Sequence, residues 1–346
     1  MPAGQHTLRE IMSQPDVWVE ALTAFDPRDP LLQSWLESDA FDHVIVTGCG
    51  STYYLALTAA RLLRQAGSHA LACPASELLL HARSICIPSL RYLLLCLSRS
   101  GTTTETLRAQ QQFKAKIRGP AVTVTCDSSS PLACASDLVI AIDAAQEASV
   151  AQTRSFSSMA VVIQQVAAHL AANNLGDSRP LPAVCRRLLE SHADMARSLG
   201  EDSAITKFFF LGSNALYGIA CEAMLKMKEM SLAYSEAYHT LEFRHGPMSM
   251  VGEDSLVIGL ISPGAARQEI RVLDEMAGMG AKALAIGQAH IENHQYVRLP
   301  ADLPPWCIPI LYLPVLQLLA YHRAILNGCD PDRPQNLSAV ISLDDI

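Results

Sequence analysis

Apolar and polar positions along the chain fall into short blocks that alternate between two periods. Compact apolar runs such as HVIVT, YLLLCL, AVTVT, KFFFLG, LVIGLI and ALAIG each precede a segment with helical spacing of its apolar residues. Strands covered on both faces read as near-continuous apolar runs, so each block predicts a strand, a turn and a helix. The blocks also repeat. FDHVIVTGCGSTYYLALTAARLL, from Phe41, resembles ITKFFFLGSNALYGIACEAMLKM, from Ile205. PASELLL (74–80) parallels YSEAYHT (234–240), LLLCLSRSGTTTET parallels LVIGLISPGAARQE, and AVTVTCD parallels ALAIGQA. Gly48 precedes Ser98 by the same interval as Gly212 precedes Ser262. Strands alternating with helices, twice over, predict two α/β units with mainly parallel sheets. The polar, proline-bearing stretch NNLGDSRPLP (173–182) is the natural join. It separates a first domain over 1–175, which includes an N-terminal arm, from a second over 185–346.

Composition narrows the function classes. Half of the 346 residues are hydrophobic and 17% are charged, which suits a globular protein with large cores. The formal net charge is -8 and no run of Lys and Arg appears, so nucleic acid is not an expected partner. An anionic ligand has to be held by local donors, because the global field opposes it. Ten cysteines sit singly from Cys49 to Cys329, with no CxxC pair and no Cys/His group at zinc spacing. Most lie in apolar runs, as Cys96 does, and read as small buried hydrophobes in a reducing cytoplasm. The opening MPAGQHTLREIMSQPDVW has no apolar core of a signal peptide. The most apolar late stretch, CIPILYLPVLQLLA, is short and interrupted by Pro309 and Pro314, so no membrane association is expected.

The first candidate chemistry lies after the run YLLLCL. Ser98-Arg99-Ser100-Gly101-Thr102-Thr103-Thr104-Glu105-Thr106 puts a cluster of hydroxyls and one glycine where a strand turns into a helix. A phosphate needs several donors and a close backbone. Ser and Thr supply O–H groups, Gly permits approach, and a helix N-terminus adds free N–H groups. No Walker-type lysine is present, which favours a sugar phosphate over a nucleoside triphosphate. The competing reading is a hydroxyl-rich helix cap with a Thr-x-x-Glu pattern. The second copy, Ser262-Pro263-Gly264-Ala265-Ala266, has one hydroxyl, so one phosphate site per chain is expected. The turn Gly48-Cys49-Gly50-Ser51-Thr52 lacks the full dinucleotide fingerprint, since Tyr53 follows. Ser51 and Thr52 are expected to add hydroxyls to the same site.

The second candidate is on a predicted helix. Glu222, Lys226 and Glu229 recur at i, i+4 and i+7 and share a face. A solvated Glu–Lys pair gives the same pattern. Against that reading, Met224, Leu225, Met227 and Met230 supply apolar contacts elsewhere on the helix, and Glu242-Phe243-Arg244-His245-Gly246-Pro247 follows. A histidine in a Gly-Pro turn is conformationally fixed and often solvent-accessible. Moving a carbonyl between C1 and C2 of a sugar takes a carboxylate base, an acid/base to open the ring and a cation beside the developing oxyanion. Glu229, His245 and Lys226 fit those three roles. Proton shuttling and imine hydrolysis use neither metal nor organic cofactor, and none is expected.

These motifs, GCGSTYY, SRSGTTTET, SVAQTRSF, CEAMLKMKEMSLAYSEAY, FRHGP, LPVLQLLAYH and DPDRPQNL, resemble the sugar isomerase (SIS) superfamily from Phe41 to Val340. The likeness is to the isomerase half of glucosamine-6-phosphate synthase and to AgaS-like amino-sugar-phosphate isomerase/deaminases. It implies two tandem, doubly wound, parallel-sheet SIS domains, flavodoxin-like or Rossmann-like in three α/β/α layers. It further implies that Ser98, Ser100, Thr103 and Thr52, with Ser51, bind the sugar phosphate, and that Arg99 fills its loop position through its backbone. Gly50 and Gln152 fall at sugar-contacting positions. Glu229 resembles the general base, Lys226 the lysine one turn before it, and His245 the ring-opening residue. In the synthases that histidine comes from the neighbouring subunit, which implies a homodimer with shared sites.

Three departures tilt the expected reaction. The synthases carry a glutaminase domain headed by a cysteine, whereas this sequence opens with Met-Pro, so glutamine-dependent synthesis by this chain alone is not expected. The synthase tail bears a Schiff-base lysine after its DQPRNL motif, whereas this tail reads Asn336-Leu337-Ser338-Ala339-Val340. Gln152-Thr153-Arg154 replaces the synthases' Ser-Thr-Lys. The expectation is an isomerase/deaminase that converts an aminohexose 6-phosphate and water into a ketohexose phosphate and ammonia. The alternatives are a fructosamine-6-phosphate deglycase, a synthase-type isomerase without its glutaminase, and a non-catalytic sugar-phosphate sensor.

Overall fold

The computed structural model describes residues 3–36, 40–171 and 176–337. The predicted repeat appears as two five-stranded, wholly parallel sheets. The first orders its strands β2-β1-β3-β4-β5, with β1 His43–Gly48, β2 Ala70–Pro74, β3 Tyr92–Ser98, β4 Ala121–Thr125 and β5 Leu138–Ala141. The second has β6 Lys207–Gly212, β7 Tyr234–His239, β8 Ser255–Ile261, β9 Lys282–Gly287 and β10 Gln295–Arg298, in the order β10-β9-β8-β6-β7. The two orders correspond strand for strand. Each places the turns after its first and third strands side by side at a topological switch point, where doubly wound sheets bind ligands.

Burial explains the strand pattern. Every residue of β3, β4 and β8 is buried, as the continuous apolar runs require of strands with helices on both faces. In the first sheet Ile45, Leu94, Cys96, Phe113 and Ala121 belong to one core cluster. In the second, Phe209, Leu211, Val257, Leu273 and Met276 do the same. In chain order the α-helices are α1 Gln5–Met12, α2 Gln14–Ala24, α3 Pro30–Leu36, α4 Ser51–Gln65, α5 Ala75–Ile85, α6 Thr104–Lys116, α7 Pro131–Cys134, α8 Arg154–Leu170, α9 Leu181–Ser191, α10 Ala193–Gly200, α11 Ala215–Ser231, α12 Ala266–Gly278 and α13 Pro314–Leu326, of which α4 follows β1 and α6 follows β3. Their counterparts are α11 (Ala215–Ser231) and α12 (Ala266–Gly278).

One pairing in the sequence repeat is corrected. PASELLL belongs to the helix Ala75–Ile85 that follows β2, whereas YSEAYH is strand β7. The true counterpart of β7 is Ala70–Pro74. Pro74 closes that strand, and the leucines after it take helical spacing rather than period two.

Two compact units emerge from the packing. One contains residues 3–15, Ala148–Thr153 and Pro180–Leu337; the other contains the described residues of Asp16–Glu147 and Arg154–Arg179. A single cut near 175–185 therefore does not follow the packing of the short helix α1 (Gln5–Met12) and residues 148–153, which belong with the C-terminal unit. Hydrophobic periodicity finds elements, but which unit an arm joins depends on polar contacts that have no period. Asn173–Leu175 of the expected join lie outside the described residues.

The apolar stretch near the C-terminus is also longer than expected. Pro305–Leu326 runs 22 residues and passes the length and composition test for a bilayer span. Within the fold, 89% of its apolar window is buried, as befits a core element. Its last part is helix α13 (Pro314–Leu326).

Candidate functional site

The hydroxyl-rich loop hangs from the end of β3. Buried Ser98 accepts the Gly101 N–H at its Oγ (3.0 Å), which curls the chain back on itself. Gly101 sits at φ +60°, and a Cβ there would meet Ser130 Oγ at 2.0 Å. Both facts require glycine. Ser100 Oγ accepts from the Thr102 N–H (3.2 Å) and hydroxyl (2.9 Å). Thr103 occupies the N-cap of α6 but makes no side-chain capping bond. The capping alternative is therefore not realised: the N-cap hydroxyl leaves the first-turn N–H groups of α6 to other partners.

Arg99 is placed by two means. Its carbonyl accepts from the Cys126 N–H (3.1 Å) and the Thr125 hydroxyl (3.3 Å). Its guanidinium, 11% exposed, lies 3.5 Å from the fully buried Glu147 carboxylate, which also accepts from the Ser155 hydroxyl. The side chain is thus tied to an internal carboxylate, in keeping with a backbone role in the loop. Sequence reasoning did not find Glu147, because nothing in its spacing links it to Arg99.

The neighbouring turn differs from expectation in one respect. Gly50 adopts φ +55°, ψ -123° at the N-cap of α4, with nothing within 4 Å of a would-be Cβ, so backbone conformation alone selects glycine. Ser51 and Thr52 are both buried. Thr52 Oγ1 donates to the Cys49 carbonyl (2.9 Å) and accepts the Cys49 N–H (2.9 Å). Its single O–H closes the turn and is not aimed outward as a ligand donor.

In the other unit, α11 assembles the charged group. Lys226 and Glu222 are fully buried, which excludes the solvated-pair reading. Lys226 Nζ lies 2.5 Å from Glu229 Oε2 and 3.4 Å from Glu222 Oε1, so the ammonium bridges two carboxylates on one helix face. The Glu229 side chain is 20% exposed and is the open end of this chain of charges. A buried ammonium between two carboxylates stays paired, because breaking one partner leaves an uncompensated charge.

His245 stands apart. It follows a short 3-10 turn, Glu242–Arg244, and its N–H donates to the Glu242 carbonyl (2.9 Å). Gly246 at φ +115° then reverses the chain into Pro247–Met250. The imidazole is exposed and has no hydrogen bond to Lys226 or Glu229. Gln152 lies in the segment Ala148–Thr153, and its Oε1 is buried without a hydrogen-bond partner among the described residues. No group of three or more His, Cys, Asp or Glu among the described residues could hold a metal ion.

The two folds with their loops match a known family model, described as the SIS domain, over residues 39–169 and 204–298. The chain belongs to the SIS-domain family. A glucosamine-6-phosphate deaminase structure from Thermotoga maritima is 30% identical, with a TM-score of 0.80, covering 98% of this chain and 100% of the other. The tagatose-6-phosphate ketose/aldose isomerase structure from Escherichia coli has a TM-score of 0.85 at 23% identity, covering 96% of each chain, and shows the shared fold. A curated relative, glutamine–fructose-6-phosphate aminotransferase [isomerizing] of Methanothermobacter thermautotrophicus, is 25% identical over 346 residues. The chain spans 57% of that relative's length and 97% of its own.

The second SIS repeat carries the counterpart loop in a different state. Glu269 is buried, and its Oε2 accepts the Ser262 N–H at 2.6 Å. Glu269 follows Ser262 by the interval at which Glu105 follows Ser98. In the first repeat Glu105 Oε2 is buried without a partner among the described residues. A carboxylate already seated on a loop N–H repels a second anion. At the preceding turn, Asn214 takes φ +54°, ψ -125°, nearly the dihedrals of Gly50, although it carries a side chain.

Proposed function

We propose that this SIS protein is an amino-sugar-phosphate isomerase/deaminase acting at C1 and C2 of an aminohexose 6-phosphate. The observation that carries the reading is the Glu222–Lys226–Glu229 group: a buried ammonium beside a carboxylate with one open end. Binding alone gives no reason to bury two opposite charges beside a third, half-buried one on one helix, since desolvation is costly. Proton transfer next to a developing oxyanion does.

Ser98, Ser100 and Thr103, with the backbone of Arg99, take the phosphate; Gly50 and Gln152 take part in holding the sugar. His245 transfers the proton that opens the ring. Glu229 removes the C2 proton and returns a proton to C1, while Lys226 stabilises the enol oxygen. The product carries a C=N bond at C2. Water adds there, the C–N bond breaks, and ammonia leaves with a ketohexose 6-phosphate behind. Two facts support nitrogen release over nitrogen transfer. The whole-chain likeness at 30% identity is to a protein described as a glucosamine-6-phosphate deaminase. And Asn336-Leu337 is followed by Ser338-Ala339-Val340 where the synthase tail bears its imine-forming lysine; those residues lie outside the described structure. The sites are read as shared within a homodimer.

The test is ammonia release from glucosamine 6-phosphate and galactosamine 6-phosphate. Glu229→Gln is expected to lower turnover about 10³-fold while the ligand still raises the melting temperature. Ligand binding without ammonia release by the unmodified protein would remove the deaminase reading.

A further inference from the structure

The segment Ala148–Thr153 has no regular secondary structure, yet it is fastened at several points within its own unit. Glu10, on α1, is 1% exposed. Its Oε1 accepts the Ala148 N–H at 2.6 Å, and both its oxygens lie 3.4 Å from the Ser149 N. The Ser149 hydroxyl also donates to it. Further along, the Val150 N–H donates to the Asp332 carbonyl (3.2 Å), and Gln317 Nε2 donates to the Thr153 carbonyl (3.3 Å). Helix α1 is itself fixed: Asp332 accepts the His6 N–H (3.0 Å), the Thr7 N–H (2.7 Å) and the Thr7 hydroxyl (2.8 Å).

Gln152 Oε1, on the strap itself, is buried and unpartnered among the described residues, as is Oε1 of Gln317, whose Nε2 holds Thr153. A buried amide oxygen without a donor is costly, and such groups mark places where a ligand or water completes the bonding. The strap is held by a carboxylate, and the open Gln152 Oε1 suits an O–H or N–H donor of a ligand.

We propose that Glu10 is a positioning residue for sugar recognition: from the N-terminal helix it fixes residues 148–153 so that the Gln152 carbonyl accepts a hydroxyl or ammonium proton of the substrate. This rests on the reading of Gln152 as a sugar contact. It makes the N-terminal arm part of the specificity apparatus, and predicts that the arm acts on the sugar end of the ligand and not on its phosphate. Loss of the Glu10 charge removes the charge-assisted part of at least two bonds to the strap, so the carbonyl loses its fixed position while the hydroxyl-rich loop is unaffected.

The experiment is calorimetric binding of glucosamine 6-phosphate and of inorganic phosphate to the full chain and to Glu10→Gln, Gln152→Ala and the double variant. Glu10→Gln is expected to weaken the sugar phosphate about tenfold and inorganic phosphate less than about twofold. In the Gln152→Ala background the Glu10 effect on the sugar phosphate should vanish, because the two act through one contact. Ser149→Ala, which removes one hydroxyl donor and leaves the carboxylate, is a milder second variant, expected to shift the same ligand about two- to threefold. Equal weakening of both ligands, or a Glu10 effect that persists without Gln152, overturns the proposal and leaves a structural role. Absence of ammonia release with these affinity differences intact would instead count against the deaminase reading alone.

Discussion

The loops after β3 and β8 occupy equivalent places in equivalent sheets, and they differ in what satisfies them. After β3, Ser98 and Ser100 fold the backbone with their own oxygens, Gly101 makes the tight reversal, and Thr103 leaves its N-cap hydroxyl uncommitted to the helix. After β8, Pro263 and two alanines replace the hydroxyls, and the Glu269 carboxylate lies on the Ser262 N–H. One loop leaves its N-cap hydroxyl uncommitted, and the other seats a carboxylate on its own N–H. The two repeats share a strand order, and the side chains of these loops differ. The paired helices diverged in the reverse sense. Helix α11 of the second repeat buries Glu222 and Lys226, whereas the buried residues of α4 are apolar or hydroxyl-bearing.

Variants can break this contrast or sharpen it. The largest effect is expected at Lys226. Lys226→Ala leaves two carboxylates facing each other on α11 without their ammonium, and should destabilise the protein by about 3–5 kcal/mol in urea unfolding. A loss below about 1 kcal/mol, the range of exposed pairs, would mean the group is solvated after all.

Next is Gly101→Ala. Left-handed backbone costs about 1–2 kcal/mol for a residue with a Cβ, and the clash with Ser130 adds to it. Phosphate affinity should fall more than about tenfold, against little change for Gly264→Ala, where a Cβ meets nothing within 4 Å. Equal affinities for the two variants would show that the first loop is not the anion site.

Glu269→Gln should cost about 1–3 kcal/mol, since it weakens a buried, charge-assisted bond to the loop. The same change at Glu105, whose Oε2 has no partner among the described residues, should cost less; identical unfolding midpoints would erase the distinction. A smaller gain is expected from Asn214→Gly. It relieves a side chain held at φ +54°, ψ -125°, a strain of about 1–3 kcal/mol that is partly offset by the greater entropy of an unfolded glycine. Gly50→Ala, at the matching dihedrals, should move the melting temperature the opposite way.

The smallest and most local effect concerns pH. Burial tends to raise the Asp332 pKa, but the N–H groups of Thr7 and His6 and the Thr7 hydroxyl outweigh it and hold the carboxyl below its ordinary value. A depressed folded-state pKa stabilises above the unfolded value and is lost as pH falls through the folded one. Amide exchange in residues 4–8 should therefore accelerate below about pH 4 before exchange in β8 does. Simultaneous acceleration would mean that the arm and the sheet open together.

Much of this was legible before any coordinates. Continuous apolar runs suit a sheet covered on both faces, so six strands, β1, β3, β4, β6, β8 and β9, and their doubling follow from pattern and repeat, whereas β2, β5, β7 and β10 are not among those runs. The hydroxyl loop and the i, i+4, i+7 charges were visible too, because phosphate and proton chemistry demand residue types that stand out in an apolar chain. The tertiary structure decided the rest. It buried Lys226 between two carboxylates, turned the Thr52 hydroxyl into its own turn, gave Arg99 a partner at Glu147, and joined Glu10 to Ala148 and Ser149. Helix and strand periods report local burial over a few residues. Hydrogen bonds between groups far apart in the chain leave no period, and only the folded backbone fixes which of them form.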